Sequence, residues 1–242
     1  MESILLYHCR ALLMDEENTL LDPAYVVVEG ERIAAVSSTR PQGPFAQEID
    51  CGGNVLMPGL VNAHTHIPMT LMRGYAGGCD LHTWLNDWIF PAEAKLDDRA
   101  VRAGADLALA ELIAGGVTTI ADMYMHTPAI AQAVLAAGIS ANLSCGGVYF
   151  GAPGDFSPAA CPDCDHQRQL TEEFHEAGNG QILVDASIHG EYTSNVPLWQ
   201  WMADYAQRKG LGMHVHVSET QSEHEGSLTR WGLTPFRILD RY

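Results

Sequence analysis

Two strand-like stretches each carry a pair of histidines spaced two residues apart. Pro58-Gly59-Leu60-Val61-Asn62-Ala63 runs into His64-Thr65-His66, and Met213-His214-Val215-His216-Val217-Ser218 runs on to Glu219. Residues two apart on a strand project to the same face, so His64 and His66 enter the same space and suit two ligand positions on one divalent metal. In the second stretch His216 lies nearer the strand end and is the better ligand. His214, one step deeper, reads more readily as core packing or an internal hydrogen bond. Glu219 falls just past the strand, where a carboxylate can take a proton from a water polarised by that metal and deliver it to a leaving amine. A further histidine, His189, closes the apolar run Ile182 to Ile188 and so also stands at a strand end.

These residues need a frame that brings several strand ends together. From Val55 onward, short apolar runs alternate with longer helical stretches, the pattern of βα units and a parallel sheet. The expected strands are Gly59 to Ala63, Thr118 to Asp122, Ser140 to Ser144, Ile182 to Ile188 and Met213 to Val217. The best helix is Arg99 to Ala114, where Val101, Ala105, Ala108, Leu109 and Leu112 recur at helical spacing. The fold class is therefore α/β: an incomplete TIM-type (β/α) barrel of about five βα units over residues 57–242, with chemistry at the C-terminal strand ends. Residues 1–56 carry short β-rich runs, Ile4 to Leu6, Tyr25 to Val28 and Ile33 to Val36, and form a small, sandwich-like β domain. The interval Gly151 to Asp165 reads as a long loop.

Composition narrows the ligand. Lys and Arg total 13 against 30 Asp and Glu, a formal net charge of −17, which opposes binding to nucleic acid or an anionic membrane and favours a small molecule. The first residues have no basic region followed by an apolar stretch, and no apolar run approaches about 18 residues, so a cytoplasmic location is expected. Of the six cysteines only Cys161 and Cys164 form a CxxC. A ribbon-type zinc site needs a second such pair, so these read as reduced thiols in a loop.

The stretch Gly59 to His66, followed by Met69-Thr70-Leu71-Met72-Arg73-Gly74, resembles the amidohydrolase superfamily, specifically its methylthioadenosine/S-adenosylhomocysteine deaminase branch. Trp84-Leu85-Asn86-Asp87-Trp88-Ile89-Phe90-Pro91-Ala92-Glu93 and His216-Val217-Ser218-Glu219-Thr220 match the same branch. The resemblance extends over the whole chain, to Gly232-Leu233-Thr234-Pro235-Phe236. It implies a hydrolytic deaminase of adenine-type nucleosides with one divalent metal, usually zinc with iron as an alternative, held by His64, His66 and His216. It further implies that Glu219 shuttles protons, that Glu93 binds ribose hydroxyls, that His189 lies at the substrate and that Trp84 lines the nucleoside pocket. By themselves, Glu93 would be read as solvated surface and Trp84 as core. A guanine, cytosine, pterin or triazine aminohydrolase is the nearest alternative, and a silent binding module, which would lack stoichiometric zinc, the next. A homo-oligomer is compatible with the family.

Binuclear relatives bridge their metals with a modified lysine, whereas neither of the two lysines here, Lys95 and Lys209, lies near His189. The branch also holds the amino-acid tail of S-adenosylhomocysteine partly through an arginine near the third strand. No Arg or Lys occurs between Arg102 and Arg168, which leaves recognition of a carboxylate tail without its cation. The family's later metal-site residues, an aspartate after the eighth strand and a histidine after the sixth, have no counterpart here. The 242-residue chain by itself is therefore expected to be inactive.

Overall fold

The computed structural model describes residues 3–242, and the chain divides into two compact units, Met1–Gly59 and Leu60–Tyr242. The first is one mixed five-stranded sheet rather than the sandwich-like unit expected. Its central strand β1 (Ser3–Leu12) pairs antiparallel with β2 (Leu20–Glu29), which pairs in turn with β3 (Arg32–Ser37). On its other edge β1 pairs in parallel with β4 (Gln47–Asp50) and then with β5 (Val55–Leu56). Alternation marks which strands have a buried face but not whether a second sheet lies opposite it. Here Leu5, Cys9, Ala11, Ala24 and Val26 are buried while Ile33 and Val55 stay exposed.

In the second unit β6 (Leu60–Thr65), β7 (Val117–Met123), β8 (Ser140–Ser144) and β9 (Ile182–Val184) form a parallel sheet in chain order. A second parallel pair joins β10 (Ala186–Gly190) to β11 (Met213–His216). The run Ile182 to Ile188, expected as one strand, is thus split at Asp185 between two sheets. Asp185 donates its N–H to Leu143 (3.0 Å) on one side, and Ala186 donates to Gly212 (3.0 Å) on the other. The Asp185 carboxylate accepts from Asn142 Nδ2 at 2.6 Å, fixing the switch point to β8.

Between β6 and β7 lie α1 (Leu81–Thr83), α2 (Phe90–Glu93) and the long α3 (Asp98–Ala114). Asp97 caps α3 by accepting from the Ala100 N–H, and its apolar face, Val101, Ala105, Ala108 and Leu109, is buried. Fully burying Val101 and Leu109 is worth roughly 1.5–3 kcal/mol each. Gly104 on the same helix lets the backbone of the turn after His66 approach closely: a Cβ there would fall 2.5 Å from the Pro68 carbonyl oxygen. Thr70 Oγ1 donates to the Gly104 carbonyl at 2.7 Å. The segment just downstream of His66 is thereby clamped to α3.

The Trp84–Ile89 stretch between α1 and α2 is a π-helix, with the Phe90 N–H reaching back to Leu85. Pro91 has no N–H to give, and the widened bonding precedes it. Glu93 therefore ends a helical run. The remaining helices are α4 (Thr127–Ala137), α5 (Pro162–Phe174), the short α6 (Ala177–Gly180), α7 (Val196–Lys209), α8 (Gln221–Trp231) and α9 (Pro235–Arg241). The loop expected from Gly151 to Asp165 stops early, because Cys161 is the N-cap of α5 and Pro162 opens its first turn. Proline at the first position and Asp163 and Asp165 in the first turn are favourable helix-start chemistry that outweighs the loop-like composition. Cys161 and Cys164 are free thiols buried in the core, at the N-cap and within the first turn of α5 rather than in a loop. Among the described residues no helix is long and apolar enough to cross a membrane.

Candidate metal centre

His64 stands near the end of β6 and His66 just past it, and His216 ends β11, so the two outer strands supply one cluster. One ligand nitrogen from each of the three lies within 4.8 Å of the others. His66 Nδ1 stands 2.5 Å from the Met123 carbonyl oxygen, and His216 Nδ1 stands 2.9 Å from that of His189. A carbonyl only accepts, so both Nδ1 atoms carry the proton and both Nε2 atoms present lone pairs. His64 Nε2 lies 3.1 Å from His216 Nε2. Two imidazoles on one tetrahedral zinc, at about 2.0–2.1 Å each, would place their nitrogens about 3.3 Å apart. The donor set therefore fits a divalent cation both in spacing and in its convergence of lone pairs, which a positive charge relieves. Burial is the main force holding His64 and His66 below the ordinary imidazole value, with Glu219 acting in the opposite direction on both.

Glu219 is exposed beyond β11, and Tyr192 Oη donates to its Oε2 at 3.3 Å. Its backbone is held by a residue the sequence reading did not single out. The buried Glu223 carboxylate accepts the Ser218 N–H at 3.0 Å and the Glu219 N–H at 2.6 Å, while Thr220 Oγ1 caps the Glu223 N–H at 3.0 Å. Thr220 followed three residues later by Glu223 is a capping signature visible in the sequence. Here it steadies the left-handed Ser218 (φ 57) that turns the chain toward Glu219.

His189 packs its ring 5.0 Å from that of His216 but does not join the ligand cluster. Burial pushes it down to about 4, with His216 and His66 adding to the effect, so it is neutral near pH 7. Thr193 Oγ1 donates to the Gly190 carbonyl (3.2 Å) and therefore accepts from His189 Nδ1 (3.0 Å). His189 Nε2 is left as an acceptor. Glu93, far from solvated, is 8% exposed, and its Oε1 accepts from Tyr124 Oη at 2.6 Å. The Tyr124 ring lies 6.3 Å from that of His66, so Glu93 is one side chain removed from the cluster. Burial raises the Glu93 carboxyl. Trp84 is half-buried at the start of the π-helix, its Nε1–H donated to the Tyr75 carbonyl at 3.1 Å.

Asp122, near the end of β7, braces the β6 end from below. Its Oδ1 accepts from Thr65 Oγ1 and from the Ile67 N–H, each at 2.7 Å, on either side of His66. Its Oδ2 is buried without a partner, and desolvation pushes the carboxyl up to about 7. The folded metal-free chain thus binds a proton that the unfolded chain has already released. That contribution to stability is complete below about pH 4 and is lost as pH rises through about 7. The buried imidazoles of His189 and His214, each held down to about 4, give the opposite slope over the acid half of the interval, so the Asp122 contribution is read as a difference from a variant. Asp122→Asn, an isostere of the neutral acid, should match the wild type near the acid end and melt at progressively higher temperature than the wild type as pH rises through about 7. Equal slopes for the two proteins would show that Asp122 ionises there without cost.

Residues 55–234 match the amidohydrolase family. The chain is 38% identical over 215 residues to a 5′-deoxyadenosine deaminase of Methanothermobacter thermautotrophicus, covering 89% of this chain and 49% of that protein. It is 34% identical over 239 residues to a 5-methylthioadenosine/S-adenosylhomocysteine deaminase of Symbiobacterium thermophilum, covering 98% and 54% respectively. Among solved structures, an adenosine deaminase from Xanthomonas campestris with bound zinc is similar at a TM-score of 0.85 and 30% identity, over 98% of this chain and 54% of that one. A triazine hydrolase from Arthrobacter aurescens is similar in fold at a TM-score of 0.87 and 22% identity, over 100% and 58%. The chain spans about half the length of the curated relatives it matches.

Proposed function

Because the chain belongs to the amidohydrolase family, we propose that its parallel strands, β6 to β9 in one sheet and β10 with β11 in another, are part of a TIM-type barrel whose mouth carries a hydrolytic deaminase of adenine-type nucleosides. The observation that carries this reading is the convergence of His64, His66 and His216, with Glu219 three residues past the last of them. The outer strands β6 and β11 each have one edge without a strand partner among the described residues, as in an open part of a barrel. The names of the two curated relatives, both deaminases of adenosine-type compounds, support the substrate class.

His64, His66 and His216 would hold one divalent ion, with zinc favoured by their nitrogen-only set. When bound, the ion supplies Lewis-acid activation of water and stabilises negative charge at the reacting ring carbon. The protein's own groups do the rest. Glu219 takes one proton from the attacking water and delivers it to the ring nitrogen, then takes the second proton from the oxygen now joined to the ring carbon and delivers it to the amine, which departs as ammonia. His189, neutral and with Nε2 as an acceptor, orients the substrate by accepting from it. Glu93 and Trp84 form the nucleoside side of the pocket, Glu93 through its carboxylate on ribose hydroxyls. The products are the inosine analogue and ammonia.

An ammonia-release screen over adenosine, 5′-deoxyadenosine, methylthioadenosine, S-adenosylhomocysteine, guanine and cytosine, carried out on a form that turns over, tests the substrate class. The adenine nucleosides should head the ranking, with uncharged 5′ groups ahead of S-adenosylhomocysteine because no arginine or lysine lies between Arg102 and Arg168. Guanine or cytosine as the best substrate would overturn the assignment. Glu93→Ala should lower kcat/KM for adenosine at least about tenfold more than for 2′,3′-dideoxyadenosine, the scale of a hydrogen bond to a charged group. Equal losses on both substrates would reduce Glu93 to a fold residue.

A further inference from the structure

His214, which the sequence suggests is core packing, lies between the metal cluster and β8. His64 Nδ1 is 3.0 Å from His214 Nε2, and His214 Nδ1 is 3.0 Å from Ser144 Oγ. Ser144 is fully buried, and its hydroxyl donates to the Asp122 carbonyl at 3.2 Å. The chain of contacts joins β6, β11, β8 and β7, across sequence separations of 150, 70 and 22 residues.

The direction of each hydrogen bond follows from its far end. A carbonyl oxygen has no proton, so Ser144 must be the donor to Asp122 and is left to accept from His214. His214 then carries its proton on Nδ1 and offers the Nε2 lone pair to His64. His64 must in turn carry its proton on Nδ1, which leaves its Nε2 lone pair directed at His216 Nε2, 3.1 Å away. His66 and His216 have their Nδ1 protons fixed directly by the carbonyls of Met123 and His189. His64 has no such carbonyl and reaches one only through two intervening side chains.

We propose that His214 and Ser144 are positioning residues that set the tautomer and ring orientation of His64, so that all three cluster histidines present Nε2 lone pairs to one cation. The inference rests on reading the cluster as a metal centre and deepens that reading. Hydrogen-bonded partners behind a ligating histidine raise its basicity and hold its plane, and losing them typically costs about 10–100-fold in metal affinity.

The test measures Zn2+ and Co2+ affinity by competition with a chromophoric chelator and assigns imidazole tautomers by 15N NMR in the metal-free chain at mildly alkaline pH. His214→Leu should weaken both metals by about 10–100-fold. His214→Gln, whose amide can accept from His64 and donate to Ser144, should restore affinity to within about threefold of wild type, well inside that loss. Ser144→Ala should fall between the two, and the wild-type spectrum should show the Nδ1–H tautomer at both His64 and His214. An Nε2–H tautomer at either histidine would overturn the relay, as would equal affinity for His214→Leu and wild type, or equal losses for His214→Leu and His214→Gln. If wild type binds neither metal, the metal-centre reading fails, and the tautomer assignment still decides the relay.

Discussion

Replacing Glu219 by glutamine is expected to leave zinc content unchanged and to lower ammonia release by at least about a hundredfold, the usual scale for an acid/base group. The geometry makes the substitution selective. Glu219 is not one of the clustered imidazoles, and the backbone that carries it is anchored through main-chain N–H groups to Glu223. Its one side-chain partner, Tyr192 Oη, can donate to the amide oxygen of glutamine as it does to the carboxylate. The change therefore removes the ability to carry a proton while retaining shape, anchoring and ligands. Metal content by atomic absorption and turnover of adenosine, measured on the same preparation of a form that turns over, separate the two effects. Turnover within a few-fold of wild type would remove Glu219 from the proton path, whereas loss of zinc would make its role structural.

The features legible in the sequence were those written in local pattern. The paired histidines stand on β6 and β11 because a period of two and a run of apolar residues mark a strand directly. Arg99 to Ala114 was recognisable as a helix from its apolar spacing, and α3 covers that span with one further residue, Asp98. The places where the reading failed depend on distant partners. Glu93 looked like solvated surface because a charged residue near a proline usually is, and its buried partner Tyr124 lies 31 residues away. The break at Asp185 is invisible in the apolar run, since what divides it is pairing to β8 on one side and to β11 on the other. Nor does any local pattern reveal that Asp122 braces both neighbours of His66. Glu223 and the start of α5 are different: their capping and first-turn signals are local and stand in the sequence itself.

His216→Ala and His189→Ala should fail in different ways, although the two rings pack at 5.0 Å and both belong to strand ends facing the same mouth. Apparent binding of about 10–16 kcal/mol for four-ligand structural zinc implies about 3 kcal/mol for each ligand, so losing one costs at least about two orders of magnitude in affinity. His216→Ala removes one of the proposed ligands, since one of its nitrogens lies in the three-histidine cluster. It should purify with little zinc and show almost no turnover. His189→Ala removes a ring outside the cluster but keeps the backbone carbonyl on which His216 Nδ1 depends. Zinc should remain near the wild-type level in that variant while kcat/KM of a form that turns over falls, because the group lost is the one proposed to accept from the substrate. Added zinc should partly rescue His216→Ala by mass action and leave His189→Ala unchanged. Equal zinc loss in the two variants would make His189 a fourth ligand and end its assignment to the substrate.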